Sequence, residues 1–290
     1  MPERLPVVET EASILLADIR GFTALMAAHP PRMMVRLLNR FLAAMCTVID
    51  RYGGHVDKFM GDSVMAVFGV PRRRPDDLHR ALACSAAMQR AMERLNLGHQ
   101  RRGEPALYAG IAVHSGAVMA GSFGPPRHSA YTVIGDTVNL AARIEAFSLR
   151  GQVLISGDVK AQAADRIKVG PGNEVQAKGS VLPLLLYPLL AVQHRGELTV
   201  PAVEPRQSPR VSVHLDAVFR CVQSKRLDAE PFSGQVRDIG YHGLSAELPM
   251  VLPDLTELAI QLPAMDCGPP CGHLYALSLI HISEPTRQLM

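Results

Sequence analysis

No apolar run in this 290-residue chain approaches the roughly 20 residues that cross a bilayer, so a membrane span is not expected. The opening MPERLPVVETEAS carries three acids before any apolar run, which excludes the pattern of a secretion signal. Cysteine is scarce: five residues, at 46, 84, 221, 267 and 271, odd in number and scattered. They make no disulfide framework and fit a reduced, cytoplasmic protein. Cys267 and Cys271 stand in CGPPC with no second pair or histidine set to complete a zinc site. The eleven histidines share no ligand spacing. Charge of one sign is also lacking. A net +3 is too small to argue for nucleic acid or an anionic surface. The run Arg72-Arg73-Arg74 reads as a solvated loop.

What is present is an ordinary globular balance, 48% hydrophobic and 20% charged, long enough for two domains. SILLADI (13–19) is a short apolar run and reads as a buried strand. Met34, Leu37, Leu38, Phe41, Leu42, Met45, Val48 and Ile49 recur at the spacing of one helix face, and YGG at 52–54 stops it. HVDKFM and SVMAVFG flank Gly61-Asp62, a hairpin signal. A second helix starts near Pro75 and runs past Met92, and LYAGIAVHSG (107–116) is a fourth strand. The order β-α-β-β-α-β predicts an α+β, ferredoxin-like domain. A helix over 136–147 follows, with strands near 153–155, 174–178 and 184–190. A linker is expected at 191–204. Beyond Pro209 the pattern changes to short strands and turns: VSVHLDAVFRC, SGQVRDI, GLSAEL and ELAIQLP. That reads as a small β-barrel.

Chemistry concentrates in the first domain. Asp18 ends the first strand and Asp62 sits at the hairpin tip, and this fold sets the first strand beside the hairpin. Two carboxylates without histidine or cysteine suit a hard cation such as Mg²⁺ or Mn²⁺. Taken singly, Asp18 could equally cap the following helix and Asp62 could serve the turn. IRGFT after Asp18 leads through a glycine into a helix, so the N–H groups near Gly21, Phe22 and Thr23 form a candidate phosphate cradle.

DIRGFT, DKFMGDSVMAVFG and YTVIGDTVNLAARIE together resemble the class III nucleotidyl cyclase catalytic domain, over residues 11–190. The resemblance implies a palm-like domain that makes a cyclic nucleotide and pyrophosphate. It implies two metal ions per active site, held by Asp18, Asp62 and the Ile19 carbonyl. It places Lys58 and Thr132 on the base. An ammonium facing adenine N1 and a hydroxyl accepting from the 6-amino group suit ATP, whereas guanine-selective relatives need an acceptor at N1. Asn139 would orient the ribose and Arg143 would stabilise transition-state charge. They stand four apart on one helix face. Lys178 would contact the terminal phosphates, although the chain has Lys-Gly-Ser where the family often has Lys-Gly-Lys. A head-to-tail homodimer is implied, with metal and base residues from one subunit and Asn139 and Arg143 from the other.

EPRQSPRVSVHLDAVFR and VRDIGYHGLSAELP resemble a PilZ domain, over 205–276. Arg206 and Arg210 match its R-x-x-x-R, and Asp238 and Gly243 match the ends of its D-x-S-x-x-G, with Gly240 in place of the serine. The resemblance implies cyclic di-GMP as a regulatory ligand. The stretch LSLIHISEPTR (277–287) resembles a translated sequencing adaptor, so 277–290 is expected to be unrelated to the fold and the barrel to be incomplete.

The expectation is thus a cytoplasmic, homodimeric adenylate cyclase with an N-terminal tail at 1–10 and a cyclic di-GMP sensor behind it. Two rivals stand beside it: a guanylate cyclase, and a nucleotide- and cyclic di-GMP-binding module without turnover. A cyclic di-GMP synthase is disfavoured, because its Gly-Gly-Asp/Glu-Glu-Phe hairpin is replaced by FMGDS.

Overall fold

The computed structural model describes residues 5–125, 128–175, 183–203, 210–223, 226–227, 230–240, 243–250, 252, 256–262 and 274–277. Lys178, Arg206, Cys267, Cys271 and positions 278–290 lie outside them. The chain divides into two compact units, Met1–Pro205 and Arg206–Met290.

In the first unit the elements follow as β1 (Val8–Ile19), α1 (Phe22–Ala28), α2 (Pro31–Arg51), β2 (His55–Met60), β3 (Ser63–Phe68), α3 (Asp77–Gln100) and β4 (Ala109–Phe123). Then come β5 (Ala130–Ile134), α4 (Asp136–Ala146), β6 (Val153–Ser156) and α5 (Gly157–Ala163). The short strands β7 (Ile167–Val169) and β8 (Asn173–Val175) precede β9 (Leu184–Gln193) and β10 (Glu197–Thr199). Within the sheet the order β4-β1-β3-β2 is antiparallel throughout. This is the arrangement a β-α-β-β-α-β chain makes. The sheet continues past β4 through β6, β9 and β10, and β5 pairs with β4.

Both faces of β1 are covered, which is why SILLADI reads as an unbroken apolar run. Leu15, Ala17 and Ile19 pack with α2 and α3. Ile14 and Leu16 pack on the other face with Val118, Val133 and Ala141 of α4. By that alternation Asp18 falls on the α4 side of the sheet. Helix α2 has proline at its first position and buries Met34, Leu37, Phe41, Met45, Val48 and Ile49, as the spacing predicts. It ends where Gly53 takes a φ of 68°. The hairpin turns at Gly61, φ 67°, a conformation glycine adopts at little cost. The Arg72–Arg74 stretch is exposed, as a solvated loop should be.

The strands extend further than the sequence patterns suggested. Residues 8–10 of the expected tail begin β1, paired with β4 at Ala120, Met119 and Val118. The expected linker 191–204 contains the end of β9 and all of β10, joined by a hairpin around Gly196, φ 117°. Alternation there is weak and Arg195 and Gly196 read as breakers, so the pairing was invisible.

The second unit is an antiparallel sheet of β11 (Arg210–Gln223), β12 (Arg226–Leu227), β13 (Phe232–Gly240), β14 (Gly243–Glu247), β15 (Glu257–Gln261) and β16 (Leu274–Leu277). Its order is β14-β13-β11-β15-β16, with β12 paired to β11. Its core is Ala217, Phe219, Val236, Leu258 and Ile260, with Phe219 stacked on Phe232 at 5.8 Å.

Candidate active site

The register of β1 and β3 sets Asp18 opposite Ser63, the residue after Asp62. The strand end and the hairpin tip therefore meet, as the fold argument expected. Ser63 Oγ donates to Asp18 Oδ1. The Asp62 carboxyl is held above the usual carboxylate range, first by burial and then by the nearby Asp18 charge. Two repelling carboxylates, with no histidine or cysteine beside them among the described residues, fit a hard divalent cation. Among the described residues no group of three or more His, Cys, Asp or Glu could hold a metal. Further ligands would have to come from backbone carbonyls such as that of Ile19, from solvent or from a substrate.

One positive group reaches this pair, and sequence reasoning missed it. Arg20 Nη1 lies 3.6 Å from Asp18 Oδ2. Its Nη2 pairs with the Glu145 carboxylate and donates to the Glu145 carbonyl at 2.7 Å and to Ser148 Oγ at 2.8 Å. Burial lowers the Arg20 pKa, and the charges of Asp18 and Asp62 oppose that. The guanidinium crosses β4 over Gly110, where a Cβ would overlap both Arg20 and Ser148. Its partners on and just after α4 lie 125 and 128 positions away, beyond any local pattern.

Gly21 follows at a φ of 72° and caps α1 without a side chain. Gly21 and Thr23 are exposed and Phe22 is half-buried against the core.

Lys58 and Thr132 come from separate strands and meet through a third residue. Between Val56 and Lys58 the β2 register slips, leaving Asp57 without a cross-strand partner. Lys58 Nζ lies 3.1 Å from Asp57 Oδ2, and Thr132 Oγ1 donates to the same oxygen at 2.9 Å. Asp57 was missed by the sequence argument. A single acid beside a lysine carries no signal until the bulge turns it toward β5.

Asn139 and Arg143 are exposed, one turn apart on α4, and their side chains make no hydrogen bond or ion pair among the described residues. The helix buries Thr137, Ala141 and Ile144 instead. Gly135 leads into it, and Thr137 Oγ1 donates to the Ala117 carbonyl at 2.7 Å, fixing α4 on β4.

In the second unit β11 pairs Arg210 with Gly240, and β13 pairs Gly240 with Gly243 and Asp238 with Ser245. The three described positions expected to bind cyclic di-GMP thus share one end of that sheet.

Adenylate cyclase 1 of Rhizobium meliloti (strain 1021) is 30% identical over 184 residues, 63% of this chain and 28% of that protein. The adenylate cyclase of Anabaena cylindrica is 39% identical over 142 residues, 47% of this chain and 27% of that protein. The chain thus spans under a third of the length of these relatives. Among solved structures, the guanylyl cyclase Cya2 superposes with a TM-score of 0.65 at 34% identity, covering 67% of this chain and 99% of that one. The adenylyl cyclase CyaB from P. aeruginosa does so at 0.62 and 31%, covering 64% and 96%. The family model for the adenylate and guanylate cyclase catalytic domain matches residues 8–191, and the chain belongs to that family.

Proposed function

We propose that the chain is an adenylate cyclase, converting ATP to 3′,5′-cyclic AMP and pyrophosphate in a head-to-tail homodimer. The observation that carries the choice of base is the meeting of Lys58 and Thr132 at Asp57, with contacts of 3.1 and 2.9 Å. An ammonium donor matches adenine N1, and an accepting hydroxyl matches its 6-amino group. Guanine presents a donor at N1 and an acceptor at C6, the reverse of both.

Asp18, Asp62 and the Ile19 carbonyl would hold the two Mg²⁺ or Mn²⁺ ions. When bound, such ions help ionise the ribose 3′-hydroxyl and neutralise the phosphates. The 3′-oxygen attacks the α-phosphorus, the bond to the bridging α,β-oxygen breaks and pyrophosphate leaves. The N–H groups of Gly21, Phe22 and Thr23 would receive phosphate oxygens, with Lys178 reaching the terminal ones. Arg143 of the second subunit would meet the charge that develops at the α-phosphoryl group, and Asn139 would orient the ribose. The exposure of both side chains suits that trans role.

Cyclic di-GMP would bind at the sheet end carrying Arg210, Asp238 and Gly243, together with Arg206, and bias the catalytic dimer. The shared register of these positions supports this second role.

The test is product formation by purified protein with Mg²⁺ or Mn²⁺, given ATP and GTP separately, with and without cyclic di-GMP. Cyclic AMP from ATP alone is expected, at a rate that cyclic di-GMP changes. Cyclic GMP from GTP alone would transfer the chain to the guanylate reading. No product from folded, dimeric protein would leave a binding module.

A further inference from the structure

We propose that Asp57 sets the base specificity of this site, by fixing the direction in which Thr132 carries its hydroxyl proton. The inference rests on the adenylate cyclase reading and extends it to a residue outside the expected base-reading pair.

A threonine hydroxyl has one proton and two lone pairs, so by itself it can face either an amino group or a carbonyl. Thr132 alone therefore cannot distinguish adenine from guanine at C6. A carboxylate oxygen only accepts. Because Thr132 Oγ1 lies 2.9 Å from Asp57 Oδ2, its proton is committed to Asp57. What remains toward the base is a pair of acceptors. They complement the 6-amino group of adenine and repel O6 of guanine.

The same Oδ2 lies 3.1 Å from Lys58 Nζ. Asp57 thus holds both readers from one atom, and spends one ammonium proton while leaving the others free. Its side chain is 1% exposed, whereas that of Lys58 is 44% exposed. The anchor is buried and the reader protrudes. The β-bulge is what permits this. In an unbroken strand consecutive side chains point to opposite faces, and the slip between Val56 and Lys58 breaks that alternation. Asp57 Oδ1 is buried with no hydrogen-bond partner among the described residues. An unsatisfied buried carboxylate oxygen is costly and points to a role beyond packing. Tyr131, beside Thr132 on β5, packs edge-on against His55 with ring centres 5.9 Å apart. Burial, and then the Asp57 charge, push the Tyr131 phenol pKa upward.

Asp57 touches no substrate in this scheme. It is a positioning residue, so its signature is a change in selectivity rather than a uniform loss. The test compares wild type with Asp57→Ala, and with Asp57→Leu, which keeps the volume but accepts nothing, should the alanine variant not fold. Each is given ATP, GTP and purine riboside triphosphate, which lacks any group at C6. Relative kcat/KM is read where there is turnover. Equilibrium binding of α,β-methylene analogues gives the same ratios without it. For wild type a preference for ATP over both others is expected. In Asp57→Ala the ATP-to-GTP ratio should fall ~10-fold or more, the range of one lost hydrogen-bond discrimination. The ATP-to-purine ratio should fall with it. Thr132→Ala should abolish that ratio too, and the double variant should add nothing further. Wild type preferring GTP would overturn the adenylate reading and this inference together. Wild type preferring ATP with the ratios unchanged in the Asp57 variants would overturn the inference alone.

Discussion

At the scale of single residues, the molecule places like charges together and leaves them short of compensation. Burial and the Asp18 charge raise the Asp62 pKa, and Arg20, which lies 3.6 Å from Asp18, offsets only part of this. Such an arrangement costs stability in exchange for an affinity for cations. Asp62→Asn should therefore raise the melting temperature measured in the presence of a chelator. The same change should lower cyclic AMP formation ~100-fold or more, because several kcal/mol of metal-borne stabilisation depends on the pair. A melting temperature that falls would mean the hairpin tip relies on this carboxylate for structure. Arg20 offers a complementary test through its neighbour. Gly110→Ala places a methyl group where Arg20 and Ser148 pass over β4. Overpacking of this kind costs about 1–3 kcal/mol, so the free energy of unfolding should drop by that amount and the denaturation midpoint should fall with it. Activity measured well below that midpoint should fall too, since the guanidinium next to Asp18 is displaced. An unchanged midpoint would show that Arg20 can move aside freely.

At the scale of elements, β4 carries a titratable group into the core. His114 is 5% exposed, and its Nδ1 lies 2.8 Å from Ser156 Oγ at the end of β6. Burial depresses its pKa below the usual 6.5, with Asp158 opposing only in part. The unfolded chain then binds a proton that the folded chain refuses. Stability from this group is complete above about pH 6.5 and is lost as pH falls below it, toward the depressed folded value. Melting temperature should decline on acidification from about pH 7 to 5, and His114→Gln should flatten that decline. An equally steep decline in the variant would assign the acid sensitivity elsewhere. The elements that reveal themselves in sequence are those with a strong period. α2 did so through Met34 to Ile49, and β1 through its apolar run. β5 did not, because AYTVI is short, largely half-exposed and without a clean period, and its place is set by pairing with β4. The β2 bulge was hidden for a related reason. HVDKFM breaks alternation at Asp57-Lys58, but only the pairing with β3 shows that the break is a slip that brings Asp57 to Thr132. Short motifs thus singled out Asp18, Asp62, Lys58 and Thr132 as candidates. Arg20 and Asp57, whose partners lie far away in sequence, carry no local signal.

At the scale of the whole molecule, the question is whether one chain holds a complete site. Asp18 and Asp62 stand at the β1 end and the hairpin tip, while the side chains of Asn139 and Arg143 sit exposed on α4 with no hydrogen bond or ion pair among the described residues. If the site is shared head to tail, defects on the two halves should complement one another. Asp62→Asn breaks only the half that carries the carboxylates. Arg143→Ala breaks only the half that carries the arginine. Each homodimer then has two defective sites. A mixed dimer has one site with both defects and one site with none. Random exchange makes half of the dimers mixed, and each of those regains one of its two sites. Co-refolded in equal amounts, two variants that are inactive alone should therefore recover about a quarter of wild-type cyclic AMP formation. The recovered activity should fall with dilution as mixed dimers separate. Activity that stays at the level of the separate variants, in a mixture shown by mass to contain mixed dimers, would place all four residues in one subunit's site.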